Sequence, residues 1–286
     1  LAVATLYQES FFRGQGLDPA FGSSYRQPFT VRGSRPDPDA SLEVVTDEER
    51  LSFAPGTEFV INSQRTDCAP VVEAEVVYCG YCIQAPGRDW DDIKGRDLTG
   101  KVLLVEVNEP GNQEGGVFDG ETMTYYGRWT YKFEQAERLG AAGVLIIHDD
   151  RGAGYGWDVV ENSWTAEDFV LADIRPNLSF FGWLHERAAR RLLALAGRDR
   201  DALRSAAEGP DFTPVDLGVR VRARQKPVFR TVETENVAAV LPARRDTDRF
   251  VVLSAHFDHL GTAPRGSQDR IYNGAVDNCA ASATML

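Results

Sequence analysis

Phe250-Val251-Val252-Leu253-Ser254-Ala255 runs directly into His256-Phe257-Asp258-His259-Leu260-Gly261. The first six residues are apolar, β-branched or small, which predicts a strand covered on both faces, as in an open α/β sheet. Ligands of such sheets sit beyond the carboxyl ends of strands, which is where His256 falls. A second polar cluster, Asn273-Gly274-Ala275-Val276-Asp277-Asn278, follows, and Gly261 and Gly274 bracket a loop that can bring backbone close to an ion. A neutral imidazole and a carboxylate are donors that a catalytic zinc centre takes. Asp258 can accept the other ring N–H of His256 and so fix its tautomer. Asp277 leads into a small-residue helix start, Ala280-Ala281-Ser282-Ala283, and a carboxylate there can bridge two cations about 3.5–4 Å apart. The bare pattern also fits a polar surface loop, and the spacing by itself does not separate the two.

Upstream, Asn236–Leu241 reads as a second apolar strand, joined to Phe250–Ala255 by a charged turn from Arg244 to Asp248. Leu1 to about Gly16 carries Leu6, Phe11 and Phe12 at helical spacing and ends at Gly14 and Gly16, which predicts a helix; a strand follows near Tyr25–Val31. The polar, proline-bearing stretch from Arg32 to about Asp47 reads as a connection between domains. From Leu51 the texture turns to short β-rich runs, with strands predicted at Glu73–Tyr78, Lys101–Val107, Gly143–His148 and Pro176–Phe181. Helices are predicted at Trp129–Leu139 and His185–Leu195, and Val219–Arg224 with Val228–Val232 reads as a strand pair leading out again. The expected fold class is therefore α/β: a sheet domain interrupted by a β-rich α+β insert. The expected bounds are residues 1–50, 51–214 for the insert, and 215–286.

Composition limits the function classes. With 43 % hydrophobic and 26 % charged residues the chain is ordinary globular protein. The net charge of −12 argues against nucleic acid or anionic lipid as a main partner. No apolar run approaches the ~18 residues of a membrane span. The chain opens without Met on Leu1-Ala2-Val3-Ala4-Thr5-Leu6, the interior of a helix, so its natural start is expected upstream and the lack of a leader says nothing of compartment. Four cysteines are too few for a disulfide scaffold. Cys79-Gly80-Tyr81-Cys82, taken as strand, would point its thiols to opposite faces, so buried free thiols are expected. Asn177-Leu178-Ser179 is a glycosylation sequon by pattern alone.

The string Ala255-His256-Phe257-Asp258-His259-Leu260-Gly261 followed by Asn273-Gly274-Ala275-Val276-Asp277-Asn278 resembles the opening metal motifs of the co-catalytic zinc aminopeptidases, metallopeptidase family twenty-eight of peptidase clan MH. Glu235-Asn236-Val237-Ala238-Ala239-Val240-Leu241-Pro242 resembles the strand that precedes the first metal ligand there. The insert resembles the protease-associated (PA) domain many of these enzymes carry, through Val76–Ile83, Asp97–Val102, and Tyr126–Lys132 with Gly140–Val144. Gly16-Leu17-Asp18-Pro19 with Ser24-Tyr25-Arg26-Gln27 resembles the family's N-terminal helix exit. Cys82 departs from the pattern, standing where relatives often have Gly.

The resemblance implies that His256 is a ligand of one zinc, Asp277 the carboxylate bridging two, and Asp258 the orienter of His256. His259 matches a family residue that is not a ligand. The family also uses an adjacent Glu-Glu pair, a further acidic ligand and a final His, all expected beyond Leu286, so the chain is expected to be truncated at both ends and inactive as it stands. The implied activity is hydrolysis of N-terminal residues from peptides with a free amine, in the periplasm or after secretion. Two other readings fit the same fold: a non-catalytic, receptor-like binding protein, and a di-zinc carboxypeptidase or dipeptidase. His148 and His185 are expected to be structural. The metal identity in the native protein, the preferred residue and the oligomeric state are not written in the sequence.

Overall fold

The computed structural model describes residues 2–67, 69–111, 116–120, 122–245, 247–259, 261–262 and 270–286. The chain forms two compact units, Leu1–Thr30 with Glu233–Leu286, and Val31–Val232. It begins with helix α1 (Ala2–Gly14), a two-residue strand β1 (Asp18–Pro19) and the long strand β2 (Arg26–Arg35). The helix closes as its glycines predict: Gly16 takes a left-handed φ of 72°, and Leu17 N donates to Phe12 O at 3.2 Å.

The Val31–Val232 unit is built on an eight-stranded sheet. In chain order its strands are β3 (Ser41–Val45), β4 (Arg50–Ser52), β5 (Phe59–Asn62), β6 (Val71–Tyr78), β9 (Val102–Glu106), β10 (Gly143–His148), β12 (Phe180–His185) and β13 (Val215–Arg224). A small hairpin, β7 (Gln84–Ala85) and β8 (Trp90–Asp91), follows β6, and β11 (Asp168–Leu171) pairs antiparallel with β2. The order across the large sheet is β4-β3-β13-β6-β9-β10-β12-β5. The central strands β6, β9, β10 and β12 are parallel, with Val102 opposite both Val76 and Gly143, and Gly143 opposite Phe180.

Every residue of β9 and β10 is buried, the expected fate of runs such as VLLVE and GVLIIH in a sheet covered on both sides. Side chains alternate between two cores with the period of two that a strand imposes. Val102, Leu104, Leu145 and Ile147 pack into one core with Ala188, Leu192 and Leu193 of α5 (Glu186–Leu195) and Ala207 of α6 (Arg200–Ala207). Leu103, Val105, Val144 and Ile146 pack into the other with Ala136 of α2 (Trp129–Arg138) and Val160 of α4 (Trp157–Trp164). A short helix, α3 (Asp150–Ala153), follows β10. At Gly182 of β12 a Cβ would meet Val60 O at 2.0 Å, so only glycine lets β5 approach there.

A buried ion network lies at the carboxyl end of β9. Arg200 donates to Glu106 at 2.7 Å, to Asp149 at 3.3 Å and to Glu186 at 2.8 Å. Arg204 adds a bond to Asp149 at 2.9 Å, and Tyr78 OH donates to Glu106 at 3.1 Å. Burial lifts the Glu106 carboxyl above its ordinary value against the pull of Arg200. Burial acts the same way on Asp149, but the Gly152 N–H, Arg204 and Arg200 outweigh it and hold that carboxyl low.

The α/β class holds, and four local expectations are corrected. The stretch from Arg32 to Asp47 is not a bare connection: it contains β3, whose Leu42 and Val44 are fully buried between β4 and β13. β13 does not pair with β14 (Val228–Val237); it lies between β3 and β6, whereas β14 belongs to a three-stranded sheet ordered β11-β2-β14. The strand expected at Pro176–Phe181 begins at Phe180 instead. Cys79 to Cys82 is a turn leaving β6 and not strand: Cys82 N donates to Cys79 O at 2.8 Å and Cys82 has φ of 56°. Both thiols are free, fully buried and in the same core, so they are inert for a different reason from the one strand geometry gave.

Candidate metal centre

The candidate site lies in the unit made of Leu1–Thr30 and Glu233–Leu286. β15 (Ala239–Val240) pairs antiparallel with β1, Asp18 opposite Val240 and Pro19 opposite Ala239. The next apolar run departs from expectation. Phe250, Val251, Val252 and Leu253 are 84, 90, 82 and 73 % exposed, and no described strand pairs with them. Apolar content makes a segment competent for a sheet interior, but a strand exists only where neighbours accept its N–H and C=O groups. His256 is therefore not presented by a strand end here.

Other contacts hold it. Ser282 Oγ in helix α7 (Ala280–Met285) donates to His256 O at 3.0 Å. The loop returns through a bridge between Thr262 and Ile271, with Tyr272 N donating to Gly261 O at 3.0 Å. Gly274 has φ of 65°, and a Cβ there would lie 2.8 Å from Asp277 O and 2.9 Å from His259 Cβ. Glycine is thus required twice over, by conformation and by space. Ala275–Cys279 forms an irregular helical turn in which Asp277 and Asn278 leave helical dihedrals, joined by a cis peptide bond. Cys279 N donates to Gly274 O at 2.9 Å, closing the turn that presents Asp277.

The structure brings His256 and Asp277 together: Nε2 lies 3.0 Å from Oδ1. On the other side of the ring, Nδ1 is 2.9 Å from the backbone O of Asp258 and 3.5 Å from its carboxylate. Asp258 therefore meets His256 chiefly through its carbonyl, whereas the sequence reading used its side chain. His259 Nδ1 stands 3.7 Å from Asp277 Oδ2, and its ring meets Tyr272 edge-on at 6.4 Å. The His256 and Asp277 side chains are 51 and 68 % exposed, so the pair is open to solvent.

A carbonyl oxygen only accepts, so the 2.9 Å contact to Asp258 O suits the tautomer with its proton on Nδ1. In that tautomer Nε2 would carry a lone pair, and it faces a carboxylate oxygen at 3.0 Å. An imidazole nitrogen and a carboxylate oxygen so placed can hold one cation between them. The donor types suit zinc. The number is short of a closed site, since among the described residues no group of three or more His, Cys, Asp and Glu is arranged to hold a metal ion.

His148 and His185 are not part of this constellation. His148 is 1 % exposed and surrounded by the rings of Tyr155, Trp157 and Trp183, and burial lowers its pKa. His185 caps α5, its Nδ1 accepting from Arg187 N at 3.1 Å. Sequence reasoning missed Ser282, which lay in a stretch read only as a helix start; a contact to a backbone carbonyl far along the chain leaves no signal in composition or spacing.

Residues 236–286 match the model of Peptidase family M28. The matched segment contains His256, Asp258 and Asp277, and the match supports a metallopeptidase reading. A search of curated proteins gives no match. No described helix is long and apolar enough to cross a membrane.

Proposed function

We propose that this chain carries the opening ligands of a zinc aminopeptidase, with His256 holding one zinc, Asp277 bridging two, and Asp258 orienting His256. One observation supports this above others: within the segment matching Peptidase family M28, His256 Nε2 faces Asp277 Oδ1 at 3.0 Å while Asp258 occupies Nδ1. Bound there, zinc would supply Lewis-acid polarisation of a carbonyl and a water of lowered pKa.

The chain's own residues orient the donors. With Nδ1 donating to the Asp258 carbonyl, Nε2 would be left with its lone pair directed at the site. Asp277 turns Oδ1 to His256 and Oδ2 toward His259, so its two oxygens serve two directions, as a bridging carboxylate must. Gly274 and the turn it starts set the height of Asp277, and Ser282 ties the His256 backbone to α7. The remaining donors, a Glu-Glu pair, an acidic ligand and a His, are proposed to follow Asp277 in the full polypeptide.

The substrate is a peptide with a free N-terminal amine and the product its released first residue. The Val31–Val232 unit is read as the protease-associated domain, expected from sequence at 51–214 between flanks 1–50 and 215–286. The compartment is periplasmic or extracellular. Hydrolysis of aminoacyl chromogens by the product of the complete reading frame tests the reading. The expected result is cleavage of substrates with a free amine, loss with a chelator, restoration by zinc, and no cleavage of N-acetylated analogues. Chelator-resistant cleavage, or cleavage of the acetylated analogue alone, would overturn it.

A further inference from the structure

A cleft of about 560 Å³ in the Val31–Val232 unit is lined by none of the residues proposed for the metal centre. Five aromatic residues line it, Phe169 of β11 and a cluster of four: Trp129 and Phe133 of α2, Trp164 of α4, and Phe181 of β12. The four rings of the cluster pack edge to face or tilted, with centroids 5.1–5.7 Å apart. Trp129 and Phe169 remain 42 and 44 % exposed, and Arg230 already stands over the Phe169 ring at 5.6 Å.

The charge of the lining is one-sided. Glu134, Glu137, Glu167 and Asp168 contribute carboxylates, and no Lys or Arg lines the cleft among the described residues. Two of the acids already have cations: Glu167 holds Arg230 at 2.6 and 2.8 Å, and Glu134 has Arg138 at 3.9 Å. The other two are bonded only to neutral groups. Glu137 accepts from Asn177 N at 3.0 Å, and Asp168 accepts from Gln64 Nε2 at 2.5 Å and Phe169 N at 2.9 Å. Two lining residues share one donor, because Arg32 donates to Ile174 O at 3.0 Å and to Gln64 O at 3.2 Å.

We propose that this cleft binds the basic side chain, arginine or lysine, of a peptide. Aromatic faces take the alkyl stem and attract the cationic head, and the free carboxylates of Glu137 and Asp168 complete its hydrogen bonds. An acidic or purely apolar segment would leave both carboxylates without a counter-charge, so the cleft selects against it. The site is independent of the proposed metal centre and needs no hydrolysis.

The probe is a fluorescein-capped, C-terminally amidated Leu-Arg-Leu-Arg peptide followed by anisotropy, with Leu-Glu-Leu-Glu as its counterpart. Both ends are blocked, so an aminopeptidase centre has no amine to act on and its presence or absence does not affect the result. The basic peptide is expected to bind at least about tenfold tighter than the acidic one, and E137Q/D168N to weaken it by about tenfold. D47N/E48Q removes the same charge from an exposed turn and serves as the control; it is expected to bind as the parent does. Thermal unfolding of each variant verifies that the fold is kept, and Trp129→Ala supplies a second, uncharged test at the exposed ring. Equal affinity for the two peptides would overturn the proposal. So would an equal loss in the control, which would reduce the effect to the net charge, or unchanged binding in both cleft variants.

Discussion

At the scale of single residues the account turns on groups whose surroundings leave them one conformation or one protonation pattern. Gly274 is the clearest, since a methyl there would collide with Asp277 O and with His259. Gly274→Ala is expected to cost about 1–3 kcal/mol locally and to displace Asp277. The check is zinc affinity of the variant against the parent, with circular dichroism to show that the rest of the chain is unchanged. Cysteine reactivity is a second residue-scale outcome. Cys79 and Cys82 are fully buried and free, while Cys279 is exposed. Peptide-resolved alkylation of the native protein is expected to modify Cys279 quickly and Cys79 and Cys82 only after denaturant is added. Rapid native labelling at either buried position would contradict the packing described.

At the scale of elements the charged network joining β9, the segment after β10 and α6 makes the sharpest prediction. Arg200 is the counter-ion of Glu106, which is 0 % exposed. Arg200→Met is expected to destabilise the unit by about 3–5 kcal/mol, measured by urea unfolding, because it leaves a buried charge without its partner. Asp149 sets a pH dependence. Its folded carboxyl is depressed below the ordinary value of 3.8, so its stabilising contribution is present above that value. That contribution is lost as pH falls through the depressed folded value. Asp149→Asn is therefore expected to be less stable at pH 7 and to lose less stability than the parent between pH 5 and 3.

Elements also show what was legible in the sequence. β9 and β10 could be read because unbroken apolar runs between turn residues have few other fates. β3 could not, because the five residues Ser41–Val45 alternate only twice and follow two prolines in a polar stretch. Phe250–Leu253 reads as a strand by composition, yet pairing is a property of neighbours and not of the run itself. The nearness of His256 and Asp277 was to be expected from the family resemblance, whereas the bare pattern fitted a surface loop as well. The Asp258 carbonyl and the Ser282 hydroxyl were not legible, because backbone acceptors and long-range contacts leave no mark in a linear pattern.

At the scale of the whole molecule, the two units differ in how they are held. The Val31–Val232 unit has two cores on either face of one sheet, whereas the Glu233–Leu286 part carries four consecutive exposed apolar residues. Limited proteolysis is expected to cut first between Leu241 and Ile271 and to leave a resistant fragment close to Val31–Val232. A resistant fragment drawn instead from the C-terminal part, with the large sheet digested, would contradict this.

The central claim is that His256 and Asp277 share one cation, and calorimetric titration of this chain with zinc tests it most directly. The account predicts binding weaker than about 1 μM, as two donors allow, abolished by His256→Ala and by Asp277→Asn while His185→Ala has no effect. Variants that titrate like the parent, or tight uptake of two zinc ions by this chain, would contradict it.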